Sequence, residues 1–376
     1  MTRKKIAIIG GGVSGLYAAY LLEQKGITDY VLLEARDDLG GRIMDYSIEP
    51  SSNQSSSNQS TSGSAHFDLG PTWFWPDFQL QLNEVMTTFG VQSFAQYEQG
   101  SMVVERSATA APSIMQGYVN SPTSMRLHGG MGALVRAMAS KLTSKSIKLG
   151  SQVQSLRING GEIDVVYRDQ KSEHSLTVDH VFFALPPRLL MASIQFIPAL
   201  PELLVKQWQS TATWMASHAK YIAVYDTPFW REKGLSGSAR SALGPMVEIH
   251  DASIPEGQAA LFGFLGVPAQ QRKTISENEM KAYCRAQMAR LFGTEAATPS
   301  SDILKDWSQD PLTATELDLS SPSDHGPTPD AIVKTGPWQQ RVTGIGSEWS
   351  RQFPGYIAGA IEAANEGVEA YSRSNP

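Results

Sequence analysis

Apolar and polar positions follow distinct rhythms along this chain. Lys5–Ile9 is a short apolar run that ends in glycines, the pattern of a buried parallel strand. Ser14–Lys25 carries Leu16, Ala19, Tyr20 and apolar neighbours at helical spacing, and Gly26 stops it. Tyr30–Glu34 is a second apolar run. Together these predict a βαβ unit of about 30 residues. His128–Leu142 predicts a glycine-rich turn and a helix, with Leu134, Met138 and Leu142 on one face. Residues 151–185 alternate with period two, as antiparallel strands do, and Val181–Leu185 is an apolar strand halted by Pro186 and Pro187. Tyr221–Tyr225 predicts a further strand, Asn278–Leu291 a helix carrying Cys284, and Ile357–Tyr371 a final helix rich in small residues. Residues 51–64 hold no apolar side chain and repeat SSNQS twice in tandem, which predicts a flexible loop.

Composition narrows the function classes. A chain of 376 residues suggests about two domains and can bury a core without disulfides. Its net charge of −6 argues against a nucleic-acid binder with a broad basic surface. The single cysteine, Cys284, excludes an intramolecular disulfide and a Cys-rich zinc site. The seven histidines show no H-x-x-x-H or H-E-x-x-H spacing, so no metal site is expected. No stretch offers the 18 or so uninterrupted apolar residues that span a membrane. A soluble, cytoplasmic protein is expected, in which the N-x-S sequons at Asn53 and Asn58 are accidents of composition.

The first candidate chemistry is Gly10-Gly11-Gly12-Val13-Ser14-Gly15, a G-x-G-x-x-G between a predicted strand and helix. Gly10 allows the tight turn, Gly12 lets backbone approach a pyrophosphate, and Gly15 lets helix and strand pack closely. The helix N-terminus adds N–H donors and a positive dipole end. Glu34 ends the second strand, where a carboxylate can accept from ribose hydroxyls. These glycines alone do not choose between NAD and FAD. The continuation Ala35-Arg36 and Leu39-Gly40-Gly41-Arg42 does: a second glycine pair with a guanidinium suits an extended dinucleotide's diphosphate.

From here the chain resembles the flavin-containing amine oxidases, the family of monoamine, polyamine and L-amino-acid oxidases. The matching segments run in the family's order. They are IIGGGVSGLYAAYLL with VLLEARDDLGGR, FDLGPTW at Phe67–Trp73, Gly129-Gly130-Met131-Gly132, Ala184-Leu185-Pro186-Pro187, Lys220 in AKYIAVYDTPFW, and Gly346-Ser347-Glu348-Trp349 followed by Pro354-Gly355-Tyr356. Residues 230–305 are less diagnostic. The resemblance implies FAD held by Gly10, Gly12, Val13, Ser14, Gly15, Glu34, Ala35, Arg36, Gly40, Gly41 and Arg42. Further contacts would come from Gly70, Pro71, Thr72 and Trp73, from Val153, and from Glu348, Gly355, Tyr356 and Ile357. It implies that Lys220 holds a water against flavin N5, where a cation or polarised water stabilises developing negative charge. It makes Tyr356 one wall of an aromatic cage that guides an amine. Ser217–Lys220 also spells S-x-x-K, but no G-x-S-x-G, S-D-N or K-T-G accompanies it.

Three departures from the family pattern stand out. The second cage tyrosine should fall about ten residues after Trp307, and Leu317 is the nearest match. Trp349, Trp73, Phe74 or Trp75 would then supply another wall. Covalent-flavin members carry a cysteine just before that tyrosine, whereas Glu316 stands here, so FAD bound without a covalent link is expected. Only about fifty residues separate the flavin segments at 73 and 128, which implies a trimmed substrate domain. Asp306, Asp310, Glu316 and Asp318 cluster near the expected substrate region, as an acidic lining for a polyamine or as a solvated loop.

The expected fold is α/β. A discontinuous, Rossmann-like GG-doublet FAD domain (1–74, 126–205, 310–376) would carry an inserted α+β substrate domain with a mixed sheet (75–125, 206–309). Substrate contacts would come from Trp73, Leu317, Trp349 and Tyr356. The implied reaction is FAD-dependent oxidation of an amine to an imine, with oxygen reduced to hydrogen peroxide. The partners are a small-molecule amine and oxygen, with no nucleic acid and no membrane. A flavin desaturase or protoporphyrinogen-oxidase-like enzyme shares the fold and the GG doublet. A flavin-binding protein without amine oxidase activity is the non-enzymatic alternative. Neither the particular amine nor the oligomeric state is legible.

Overall fold

The structure is a computed structural model that describes residues 2–3, 5–48, 64–320 and 327–374. The loop expected over 51–64, apart from Ser64, and its two sequons lie outside the described residues.

A five-stranded parallel sheet forms the centre. Its order is Ile147–Lys148, Tyr30–Leu33, Ile6–Ile9, His180–Phe183, Val342–Gly344. Strand alternation sorts its side chains into two layers. Ile6, Ile8, Tyr30, Leu32 and Phe182 face a helical layer, and Ala7, Ile9, Val31, Leu33, Val181 and Phe183 face a second sheet. Both faces are covered, so these strands read as unbroken apolar runs rather than as alternation. The helical layer consists of Val13–Gln24, Gly132–Ser140 and the terminal helix Ile357–Ser374. Small residues on the terminal helix, Ala358, Ala360 and Ala364, allow that close packing.

The second sheet also has five strands, ordered Thr2–Arg3, Glu173–Val178, Glu162–Arg168, Gln152–Asn159, Gln195–Ile197. Its three central strands are antiparallel, as the period-two pattern predicts. A separate seven-stranded sheet runs Ser301–Asp306, Ala219–Tyr225, Ala259–Leu265, Met246–Asp251, Leu235–Ser241, Ser101–Glu105, Ser113–Gln116. It is mixed: Leu235–Ser241 pairs parallel with Ser101–Glu105, while its other pairings are antiparallel. Helix Glu277–Phe292 packs on it and buries Cys284 completely. A two-stranded ladder, Asp45–Ile48 with Ala65–Asp68, carries the chain away from the first glycine cluster and back to it. Among the described residues, no helix is long and apolar enough to cross a membrane.

Candidate active site

The carboxyl ends of the central strands meet at one place, where open α/β sheets bind ligands. Ile9 and Gly10, Leu33 and Glu34, and Ala184 and Leu185 line the same cavity of about 440 Å³. Gly15 packs the first helix hard onto its strand: a Cβ there would lie 2.0 Å from the Gly10 carbonyl oxygen. Gly12 is different. A Cβ added to it meets only the Gly40 oxygen, at 3.8 Å, and Gly12 itself lines the cavity. The helix Val13–Gln24 begins at Gly12 with no side-chain cap on its first N–H groups. Those donors suit an anion.

Glu34 is buried. Its carboxylate accepts from the Gly11 N–H and, at 2.8 Å, from the Arg36 N–H. Arg36 forms a bidentate pair with Asp310, at 3.0 and 3.1 Å, and also donates to Thr313. Arg42 donates to both carboxylate oxygens of Glu348, at 2.6 and 3.1 Å, and to Ser347. The Ser14 hydroxyl donates to the Ile345 carbonyl. The first glycine cluster is thus tied to the segment that opens the terminal helix.

The glycine cradle, the uncapped helix start and the fixed Glu34 carboxylate fit the diphosphate and ribose of a dinucleotide. Val13, Ser14, Ala35, Arg36, Gly40, Gly41, Arg42 and Val153 line the cavity with them. Gly15 and Glu348 do not line it. Gly15 packs the helix on its strand, and Glu348 pairs with Arg42.

The same cavity continues along Gly70, Pro71, Thr72 and Trp73 to Lys220, Gly355, Tyr356 and Ile357. Lys220, only 3% exposed, donates to the Thr72 hydroxyl at 2.5 Å and to the Gly70 carbonyl at 3.2 Å. Its ammonium sits 4.2 Å from the centroid of Phe262. Burial pulls the Lys220 amine down to about 7; Asp68 opposes that shift and Arg126 reinforces it. Burial likewise pushes Asp68 up to about 6, against Lys220, the Met131 N–H and Arg126. The carboxylate accepts from Met131 at 2.6 Å. This bond ties the Gly129–Gly132 turn to the strand Ala65–Asp68, which leads into the segment that touches Lys220.

Two expected substrate contacts are placed elsewhere. Leu317 is 53% exposed on the short helix Glu316–Ser320 and does not line the cavity. Trp349 is buried edge-on against Trp208, with its indole N–H donating to the Asp330 carbonyl at 3.3 Å. The 3₁₀ turn Ser347–Trp349 points that ring into the core above Gly344. Phe74 is also a core residue. The acidic cluster forms no lining. Asp306 pairs with Arg272, Asp310 with Arg36 and Lys305, and Asp318 with Arg188; Glu316 is largely exposed, with Lys273 3.8 Å away.

Trp214, Met215, His218, Phe264 and Trp307 line the cavity without having been expected there. The first three lie in the turn before strand Ala219–Tyr225, where hydrophobic periodicity carries no signal. Their nearness to Lys220 in the sequence was the one available hint.

The family model described as flavin containing amine oxidoreductase matches residues 78–370. A NAD(P)-binding Rossmann-like domain model matches residues 8–89. The chain belongs to the flavin-containing amine oxidoreductase family. It is 22% identical to a Dictyostelium discoideum protein named "Probable flavin-containing monoamine oxidase A", over 95% of both chains. It is 26% identical to an L-amino acid dehydrogenase of Synechocystis, over 66% of this chain and 51% of that one, about half the relative's length. A solved putrescine oxidase structure superposes with a TM-score of 0.79 over 100% of both chains at 19% identity, a likeness of fold.

Proposed function

We propose that this protein binds FAD without a covalent link and oxidises an amine to an imine, which water converts to a carbonyl compound and ammonia or an amine. When bound, FAD would supply a two-electron acceptor, and its reoxidation by oxygen would give hydrogen peroxide. One observation carries the reading: a single cavity joins the dinucleotide-type glycines, a buried lysine and an aromatic cluster.

The chain's residues divide the work. Gly12, Gly41 and the helix start would hold the diphosphate, and Glu34 the ribose. Arg42, steadied by Glu348, adds positive charge beside them. Lys220 is held by Thr72 and Gly70 at a point where burial keeps its proton labile near neutral pH. A cation or neutral amine there can answer a change of charge in the site. The apolar walls exclude water from the reacting nitrogen and carbon.

The domain division at 1–74, 126–205 and 310–376 against 75–125 and 206–309 is supported by the sheets. The parallel sheet and its antiparallel partner draw only on the first set, and the seven-stranded sheet only on the second. Non-covalent attachment is supported by Cys284, which is buried in a different core and has its thiol pushed up to about 12, chiefly by burial. A cytoplasmic location is part of the same proposal.

Acid precipitation of the purified protein tests the attachment: FAD should appear in the supernatant, and a yellow pellet would contradict it. Peroxide release on adding an amine to the native holoprotein tests the oxidase reading. Its absence with every amine tried would refute that reading.

A further inference from the structure

The cavity ends in a set of rings that come from three separate segments. Trp214 lies against Tyr356, with centroids 6.1 Å apart and planes at 31°. Trp75 also meets Tyr356, edge-on, at 6.5 Å and 74°. All three line the cavity. Trp75 is held by its indole N–H, which donates to Ser124 at 2.9 Å, and by its backbone N–H, which donates to Gln79 at 3.0 Å. Trp214 is seated by a glycine. A Cβ on Gly355, whose φ is +82°, would lie 2.5 Å from the Trp214 Cβ.

Segment Gly70–Trp75 connects this enclosure to Lys220, since Thr72 touches the lysine and Trp75 touches Tyr356. Of the described residues that line the cavity, Glu34 is the one carboxylate, and it is anchored at the glycine-cradle end. The two guanidiniums of the cavity are paired, Arg36 with Asp310 and Arg42 with Glu348.

We propose that Trp214, in place of a second tyrosine, completes the aromatic enclosure and makes the site selective for a monoamine with an apolar, preferably aromatic, body. The inference rests on the amine-oxidase reading given above. A diamine must bring a second ammonium to a part of the cavity where, among the described lining residues, no carboxylate can pair it. Ring faces offset only part of that desolvation. An amino acid's carboxylate finds both guanidiniums already engaged. An aryl-alkyl amine buries its ring against Trp214, Tyr356 and Trp75 and leaves one nitrogen to the reaction.

The test measures kcat/KM from peroxide release with phenethylamine, propylamine, 1,4-diaminobutane and phenylalanine, on the holoprotein and on Trp214→Ala and Trp214→Phe. Phenethylamine should exceed the diamine and the amino acid by about tenfold or more. Trp214→Ala should lower phenethylamine turnover about tenfold, mainly through KM, with propylamine changed less than about twofold. Trp214→Phe should keep most of the preference, and it serves alone if the alanine variant fails to hold flavin. Equal or better turnover of the diamine would overturn the inference while leaving the oxidase reading intact. Equal losses for phenethylamine and propylamine would also overturn it, because they mark a merely structural role. A flavin-loaded protein that turns over none of the four would overturn both.

Discussion

Lys220 is placed by contacts that its sequence neighbours do not supply. It sits on strand Ala219–Tyr225, buried on both faces, and reaches Thr72 and Gly70 from another part of the chain. Burial makes the folded state prefer its neutral form, whereas the unfolded chain keeps the ordinary value of 10.5. Between about pH 7 and 10.5 the unfolded state therefore binds more protons, so stability contributed at this position rises with pH across that window. Lys220→Met removes this contribution. The parent's denaturant midpoint should therefore rise relative to the variant's as pH goes from 7 toward 10.5. A gap independent of pH would contradict the buried amine. The same variant should slow flavin reduction or reoxidation, and unchanged rates for both would remove Lys220 from the mechanism.

At the scale of elements, the first strand, turn and helix work as one cradle whose glycines have different duties. Gly15→Ala would push a methyl group into the Gly10 carbonyl, 2.0 Å away, and force helix and strand apart. It should cost ~2–4 kcal/mol of stability, read by thermal or denaturant unfolding. Gly12→Ala meets no such obstacle and places its methyl group in the cavity. It should leave the flavin-free fold within ~0.5 kcal/mol of the parent while lowering flavin retention on gel filtration. Equal destabilisation by both would contradict the division of labour. The contrast also explains what was legible in advance. The cradle is local: strand, glycines and helix lie within thirty residues, and their spacing carries the chemistry. The alternation of Val153, Leu156, Ile163 and Val165 likewise announced antiparallel strands. Trp214 was not legible, because its place depends on Gly355, far along the chain. Trp349 was misread for a related reason. A tryptophan beside flavin-type residues suggests a wall, but the 3₁₀ turn that carries it points the ring into the core.

Over the whole molecule, the site exists only where distant segments meet. Arg42 pairs with Glu348, Arg36 with Asp310, Lys220 with the segment at 70–72, and Trp214 with Tyr356. The parallel sheet supplies the glycine end, and the seven-stranded sheet supplies Lys220 and the wall at Phe264. Neither sheet holds the complete cavity, so the proposed activity belongs to the assembled fold. The most direct test is an anaerobic titration of the holoprotein with phenethylamine, following oxidised-flavin absorption. The account predicts progressive bleaching to the reduced spectrum and its reversal when oxygen is admitted. A flavin spectrum that this amine and the simpler propylamine both leave unchanged would contradict the central claim that this cavity oxidises amines.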